Sequence, residues 1–445
     1  MKKILLLGGG LSTTSLIKYL LDNSEKYDWT LRIGDIQLDF IKEKINNHPR
    51  GECFKFDVEN QEQLFEEVSN ADIVISMLPA RFHIFVAKAA VELGKNMVTA
   101  SYVSDDIKAL DNKAKEKGVL VLMEMGVDPG IDHMSAMQII DKIKDRGGKI
   151  KLFKSFTGGL VAPKYDNNPW NYKFTWNPRN VVVAGQGVSQ FIRNGKYKYI
   201  PYNQLFSRIE RVTFSDVGEF EAYANRDSLK YREIYGLKDI PTIFRGTLRR
   251  PGFCKTWNVF VQLGMTDDNF FVEDVANMTY REFINTFLPY HKTMTVEEKI
   301  AKIFNLSEDS SILYKLRWLG LFSDEKIELV KATPAQILQH LLMKKWALDE
   351  GDKDMIVMRH LFEYEINHKL EQIESSLVVY GNDHTAMSIT VGTPLAIAVK
   401  RILNGDLTGS GVQRPVKKEI YEPILEELKE YGIVFREKII KENDL

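Results

Sequence analysis

The sequence predicts an α/β protein. Its N-terminal third reads as a doubly wound parallel sheet, followed by a mixed α+β domain carrying an inserted helical subdomain. Three observations lead there. Short apolar runs alternate with amphipathic segments through residues 1–127, and strand–helix alternation at this spacing implies a parallel sheet. The first apolar run ends in a glycine-rich loop that opens a helix. Strand-like runs continue after residue 128 but yield to helical periodicity between about 278 and 350.

Ile4–Leu7 is the first strand, and Leu16, Ile17, Leu20 and Leu21 then recur at helical spacing. Thr30–Ile33, Cys53–Val58, Asp72–Leu78, Asn96–Ala100 and Val119–Met123 read as the next five strands, with helices such as Phe82–Leu93 and Asp105–Lys117 between them. The loops after the strands matter most, because open α/β sheets bind ligands outside the carboxyl ends of their strands. Lys151–Phe156, Ile209–Phe214, Phe220–Ala224 and Trp257–Leu263 read as strands of a mixed sheet, to which Met355–Tyr364 returns. Arg281–Phe287, Val296–Phe304, Ile312–Leu319 and Pro334–Leu348 read as helices. Thr385–Leu403 is apolar and helix-like, and Pro394 is expected to kink or break it. With Lys418–Tyr431 it is expected to pack back on the first domain. The domain plan is therefore 1–127 completed by about 385–445, then 128–277 with 351–384, then the insertion 278–350.

Composition narrows the function class. The 445 residues are 44% hydrophobic and 27% charged, ordinary for a globular protein. With 60 Lys+Arg against 61 Asp+Glu the net charge is −1, which argues against a general nucleic-acid binder. Two cysteines, Cys53 and Cys254, cannot build a disulfide framework and suit a reducing compartment. The eight histidines show no metal-ligand spacing, so no metal site is expected. The opening apolar run is too short for a signal-peptide core, and no stretch reads as a membrane span. The expectation is a cytoplasmic protein without membrane or nucleic-acid partners.

The loop Gly8-Gly9-Gly10-Leu11-Ser12-Thr13 matches a dinucleotide fingerprint except that Thr13 replaces the third glycine. Gly8 allows the tight turn, and Gly10 lets backbone approach a pyrophosphate beside Leu11 and Ser12 at the helix start. This makes the sheet Rossmann-type. Asp35 lies 25 residues after Gly10, just past the second strand. A carboxylate there accepts from a ribose 2′-hydroxyl and repels a 2′-phosphate, so NAD is expected as the preferred cofactor, with NADP left open. Asp57 and Val58 end the third strand near an expected adenine position, and Leu78 precedes a proline turn near the nicotinamide ribose. His83, at a helix start, reads as a capping or packing residue.

Several segments then carry a specific resemblance. They are Thr99-Ala100-Ser101-Tyr102, Glu124-Met125-Gly126-Val127-Asp128-Pro129-Gly130-Ile131-Asp132-His133, Thr157-Gly158-Gly159, Lys173-Phe174-Thr175-Trp176, Asn225-Arg226-Asp227-Ser228, Arg245-Gly246-Thr247-Leu248-Arg249 and Thr385–Gly392. In this order, nearly end to end, the series resembles saccharopine dehydrogenase of the glutamate-forming type, also called saccharopine reductase. The resemblance implies hydride transfer from the CH–NH carbon of saccharopine to a nicotinamide, then imine hydrolysis to L-glutamate and 2-aminoadipate 6-semialdehyde. It implies that Ser101, Tyr102, Asp128, Arg226, Thr247, Leu248 and Arg249 contact substrate. Tyr102 and Asp128 become the candidates for proton handling, and Ala100 and Trp176 cofactor contacts. Guanidinium groups suit a substrate with three carboxylates. One position departs from the pattern: Thr157 stands where relatives carry cysteine, which puts a catalytic role there in doubt. Glu124, Asp132 and His133 are read as turn or capping residues. A homodimer is expected through the mixed-sheet domain. Two other readings stay open: a carboxynorspermidine synthase-like condensing enzyme, and a non-catalytic NAD(H) redox sensor.

Overall fold

The structure is a computed structural model and describes residues 1–441. Its strands, in chain order, are β1 (Lys2–Leu7), β2 (Trp29–Asp35), β3 (Gly51–Lys55), β4 (Ile73–Ser76), β5 (Asn96–Val98), β6 (Leu120–Leu122), β7 (Lys149–Val161), β8 (Val188–Arg193), β9 (Lys196–Pro201), β10 (Glu210–Phe214), β11 (Gly218–Ala224), β12 (Thr242–Arg249), β13 (Asp354–Ile366), β14 (Lys369–Tyr380), β15 (Gly411–Gln413) and β16 (Arg436–Lys441). The chain divides into two compact units. The first is Met1–Ile150 with the chain from Glu363 onward, and the second is Lys151–Phe362.

The first unit is built on the sheet β15-β6-β5-β4-β1-β2-β3, parallel throughout. Ile4–Leu7 of the central strand are all buried, as expected for a strand covered by helices on both faces. The order reverses at β1, between β4 and β2, so the loops after β1 and β4 flank a crevice at the carboxyl edge. β15 is a seventh strand that the sequence reading did not anticipate: three residues, Gly411–Gln413, pair with Leu120–Leu122. Such a short piece has no alternation to detect. The long helix Ala386–Asn404 continues through Pro394, so of the expected kink or break the break does not occur. Thr390, whose carbonyl loses its partner to the proline, sits buried in a helix packed firmly against Thr14–Asp22. That packing is close: Ser15 N donates to Ser388 Oγ at 2.8 Å, and a Cβ on Gly392 would lie 2.7 Å from Leu16 N. The helix is apolar and long enough for a membrane span by composition, but its apolar surface is spent on this packing.

The helix Ile131–Asp145 also belongs to the first unit, where Tyr421 Oη donates to Asp141 Oδ2 at 2.6 Å. The unit boundary therefore falls at Ile150/Lys151, beyond the 127/128 read from the sequence.

In the second unit the strand order is β10-β11-β12-β7-β13. β7 and β12 run parallel and β10–β12 antiparallel, which makes the sheet mixed. Residues 278–350 are helical as expected: Tyr280–Thr286, Val296–Phe304, Ser311–Trp318 and Pro334–Trp346. Three of these begin with reciprocal capping boxes, Thr279 with Glu282, Thr295 with Glu298 and Thr333 with Gln336. Trp257–Leu263 is helix rather than the expected strand, within Phe253–Leu263 between left-handed Gly252 and Gly264. Its aromatic and β-branched run favours extended chain locally. Burial of Phe253, Trp257 and Phe260 on one helical face overrides that preference. These rings join Trp170, Tyr172 and Trp346 in a fully buried aromatic core.

The Gly392 contact gives a stability prediction. Gly392→Ala forces a methyl group against backbone and should lower the unfolding free energy by about 1–3 kcal/mol. An unchanged urea midpoint would show that the two helices can separate at little cost.

Candidate active site

The glycine loop sits where the topology places it. Gly8 has φ +91°, and a Cβ there would meet Met77 O at 2.7 Å, so the loops after β1 and β4 touch. Around Gly10 the space is open, with no atom within 4 Å of a built Cβ. Gly10 and Leu11 are exposed and Ser12 is half-buried at the start of the turn leading into the helix Thr14–Asp22. This cradle fits a dinucleotide's diphosphate. Asp35 is differently employed than expected: its Oδ2 accepts from Gly9 N at 2.7 Å and its Oδ1 from Gln37 N at 2.9 Å. The carboxylate braces the loop. Lys44 adds a cation that the sequence reading missed, its Nζ donating to Gly9 O, Gly10 O and Thr13 Oγ1. Burial pulls its ammonium down to about 8, against the nearby Asp35 charge. Asp57 is exposed and accepts from Glu59 N, whereas the Val58 side chain lies in the hydrophobic core.

The loops after β4, β5 and β6 form a second cluster at the same edge. Leu78 and Ala100 are half-buried there, and a Cβ on Gly126 would stand 3.1 Å from that of Ala100. Tyr102 Oη donates to Asp128 Oδ1 at 3.0 Å, joining the two residues expected to handle protons. Asp128 is held by a backbone that only glycine permits. Gly130 has φ +150°, and a Cβ there would overlap Gly126 O at 2.0 Å. The Asp128–Pro129 bond is cis, and Asp132 caps the turn by accepting from Gly130 N at 2.7 Å. Ser101 is bonded to His83, whose Nε2 lies 2.6 Å from Ser101 Oγ and whose Nδ1 lies 2.8 Å from Ser76 Oγ. Burial pulls the His83 imidazole down to about 4, so it is neutral at physiological pH.

Behind this cluster stands Glu124, 2% exposed and itself in left-handed backbone (φ 61°). Its Oε1 accepts from Val103 N at 3.1 Å and from Arg414 Nε at 2.8 Å, and its Oε2 lies 2.8 Å from His133 Nε2. Burial pushes this carboxyl up, but His133, Arg414 and the Val103 amide outweigh burial and hold it at about 2. Glu124 and His133, read from the sequence as turn or capping residues, instead form a buried pair. Arg414, 290 residues away, left no signal in the sequence.

The second unit carries a different arrangement. Arg249 ends β12, is 3% exposed, and donates through Nη1 to Leu248 O at 2.8 Å. Its guanidinium lies 5.0–5.6 Å from the ring centres of Tyr172, Phe253 and Tyr223. Among the described residues no carboxylate pairs with it, and its Nε has no partner. The nearby Glu221 is used up accepting from Gly252 N and Cys254 N. A buried charge without a carboxylate partner costs several kcal/mol, a cost that the surrounding rings only partly offset. Burial pushes the Tyr172 and Tyr223 hydroxyls up, against the pull of Arg249, leaving neutral donors around it. Leu248 is buried and Thr247 half-buried, paired in register with Thr157 on β7. The Thr157 hydroxyl is buried without a partner among the described residues. Trp176 is half-buried beside Tyr172, in the same unit as Arg249 and not in the unit that holds the glycine loop. Arg226 is exposed, in left-handed backbone (φ 49°), with its carbonyl accepting from Gln190 N.

Glu124 gives a pH prediction. Its folded pKa lies below the ordinary 4.5, so its contribution is full above about pH 4.5 and is lost as pH falls toward 2. Wild type should exceed Glu124→Gln by about 3 kcal/mol at pH 6, and the gap should close by pH 2 in urea titrations. A gap independent of pH would mean that the carboxylate's charge is not what stabilises the unit.

Comparison with known proteins agrees with this arrangement. Residues 4–122 match the family description "Saccharopine dehydrogenase NADP binding domain", and residues 126–433 match "Saccharopine dehydrogenase C-terminal domain". A saccharopine dehydrogenase [NADP(+), L-glutamate-forming] of Pyricularia oryzae is 33% identical, with 99% of each chain covered. The alpha-aminoadipic semialdehyde synthase of Bos taurus is 36% identical over 98% of this chain, which spans about half (47%) of that relative. The solved apo saccharopine dehydrogenase (L-Glu forming) of Saccharomyces cerevisiae superposes with a TM-score of 0.88 at 31% identity, covering 99% of this chain and 100% of that one. These matches overturn the expectation of NAD as preferred cofactor, since the matched nucleotide domain and the full-length fungal relatives are described by NADP. The inference rested on Asp35 facing a ribose, and the Asp35 carboxylate is instead committed to Gly9 and Gln37. With both halves of the chain matched and the fold shared end to end, the chain belongs to the saccharopine dehydrogenase family.

Proposed function

We propose that this chain is an NADP-dependent saccharopine dehydrogenase. It would interconvert saccharopine and water with L-glutamate and 2-aminoadipate 6-semialdehyde. The observation that carries the reading is the unpaired Arg249 guanidinium in its aromatic box, together with a Tyr102–Asp128 pair at the nucleotide edge. The full-length relationship to the NADP(+), L-glutamate-forming enzymes supports the same reaction.

The residues divide the work. Gly8, Gly10, Leu11 and Ser12 would hold the dinucleotide's diphosphate, with Asp35 and Lys44 fixing the loop from beneath. NADP, when bound, supplies the hydride acceptor. Hydride departure needs the substrate's secondary amine unprotonated, and the Asp128 carboxylate is the acceptor for that proton. Tyr102 fixes its orientation by donating to Oδ1. The same pair then serves water as it adds to the imine and as the carbinolamine collapses to aldehyde and glutamate amine. Arg249 takes a substrate carboxylate through its spare N–H groups, a charge-assisted bond strengthened by burial. Ser101, Thr247 and the Leu248 backbone add polar contacts, and Arg226 a second guanidinium at the surface. A redox sensor would have no use for a buried unpaired arginine, and a diamine-handling enzyme less use for it. Two free cysteines support a reducing, cytoplasmic setting.

The test is turnover: saccharopine with NADP should give nicotinamide reduction and one glutamate per hydride, and no turnover by folded, NADP-binding protein would refute the reading. Arg249→Met should raise the saccharopine KM by about 10²-fold while leaving NADPH affinity nearly unchanged. Equal loss of both would mark the arginine as structural. Asp128→Asn should lower kcat by about 10²–10⁴-fold, and a variant with normal kcat would remove Asp128 from proton transfer.

A further inference from the structure

We propose that His83 is a positioning residue: through the Ser76–His83–Ser101 chain it presents the Ser101 hydroxyl to the substrate as a hydrogen-bond donor. The inference rests on the proposed function, in which Ser101 contacts the substrate.

The argument is a count of protons. Ser76 is fully buried at the end of β4, and its Oγ has one hydrogen-bond partner among the described residues, His83 Nδ1 at 2.8 Å. A buried hydroxyl carries one proton, which must point at an acceptor or be left unsatisfied at about 1–3 kcal/mol. If Nδ1 carried the ring proton, the Ser76 proton would have nowhere to go. Nδ1 is therefore the acceptor and takes the Ser76 proton. The imidazole is neutral, so its single proton then sits on Nε2. Nε2 is 2.6 Å from Ser101 Oγ and donates to it. With a lone pair of Ser101 Oγ engaged by Nε2–H, the Ser101 proton is turned away from the ring.

The outcome is a fixed polarity. Ser101 is half-buried in the loop after β5, beside Tyr102 and Asp128. Its backbone is fixed too, because Glu124 N donates to Ser101 O and Ser101 N donates to Thr99 Oγ1. A donating hydroxyl held this way suits a carboxylate or a carbonyl-type oxygen of an amino-acid substrate. Toward an ammonium it has one lone pair left to offer, whereas its proton is free to donate. The imidazole keeps that polarity by staying neutral in its buried setting, with two serines and no carboxylate as hydrogen-bond partners. His83 lies at the first position of its helix, held between the ends of β4 and β5.

The experiment combines kinetics with a measurement that needs no activity. Nitrogen NMR of histidine-labelled protein, with the His83 signal assigned by its loss in His83→Gln, should show a protonated Nε2 and a bare Nδ1. A protonated Nδ1 overturns the proposal. Ser101→Ala and His83→Phe should each raise the saccharopine KM by about 10-fold with a smaller effect on kcat and an unchanged NADPH dissociation constant. The double variant should be no worse than either single one, because both remove the same interaction. His83→Gln, whose amide N–H reaches toward the Nε2 position, should recover most of the loss. Multiplying effects in the double variant, or a parallel loss of NADPH affinity, overturns the proposal. If His83→Phe fails to fold, the Gln variant and the tautomer decide. If wild type does not turn over saccharopine, the proposed function falls, and the tautomer alone decides the His83 assignment.

Discussion

One buried carboxylate, Glu124, fastens four parts of the first unit to a single point. It joins the end of β6, the loop after β5 through Val103 N, the start of the helix Ile131–Asp145 through His133, and the segment after β15 through Arg414. A carboxylate out of water is costly unless it is paired, and here Oε1 accepts two hydrogen bonds while Oε2 stands 2.8 Å from His133 Nε2. Removing any partner exposes the whole desolvation cost, so the four segments are coupled. Tyr102 and Asp128 sit on two of them. Their 3.0 Å contact joins two of the segments that Glu124 fastens.

The two units treat charge in opposite ways. In the first, polar groups near the nucleotide edge are paired in advance: Asp35 with the Gly9 and Gln37 amides, Lys44 with loop carbonyls, His83 with two serines. This preorganisation fixes backbone and hydroxyl directions before any ligand arrives. In the second, Arg249 is left with donors to spare among aromatic rings. Stability is given up there, and under the proposed function the return is a dry site for a substrate carboxylate. The aromatic core of Trp170, Trp257, Trp346 and their neighbours makes that tolerable, because large ring burial offsets one unpaired cation.

Particular residues show where sequence reasoning works and where it fails. Gly8 was legible because backbone geometry allows few residues in such a turn, whereas the three Thr capping boxes and the left-handed Gly130 came to light only in the structure. Tyr102 and Asp128, singled out by the resemblance, follow the adjacent strands β5 and β6, whose loops converge on one edge of a parallel sheet, and they meet there. Asp35 misled because its position suggested a ribose contact, while its bonding partner turned out to be an amide 26 residues earlier. His83 was read as a capping or packing residue, and it is buried with a serine hydroxyl at each ring nitrogen. The helix Phe253–Leu263 was mistaken for a strand because local propensity is weak beside the burial of three aromatic rings.

The sequence by itself determined the fold class, the nucleotide loop, the helical insertion and the family. Each follows from periodicity, steric demands of glycine, or ordered motifs, all of which are local in the chain. Only the tertiary structure decided which partners the charged groups take. Arg414 meets Glu124 across 290 residues, Lys44 reaches back to Gly9, and Arg249 meets no carboxylate at all among the described residues. Pairing of this kind depends on distances between segments far apart in the chain, and a charge's role depends on what faces it once water has gone.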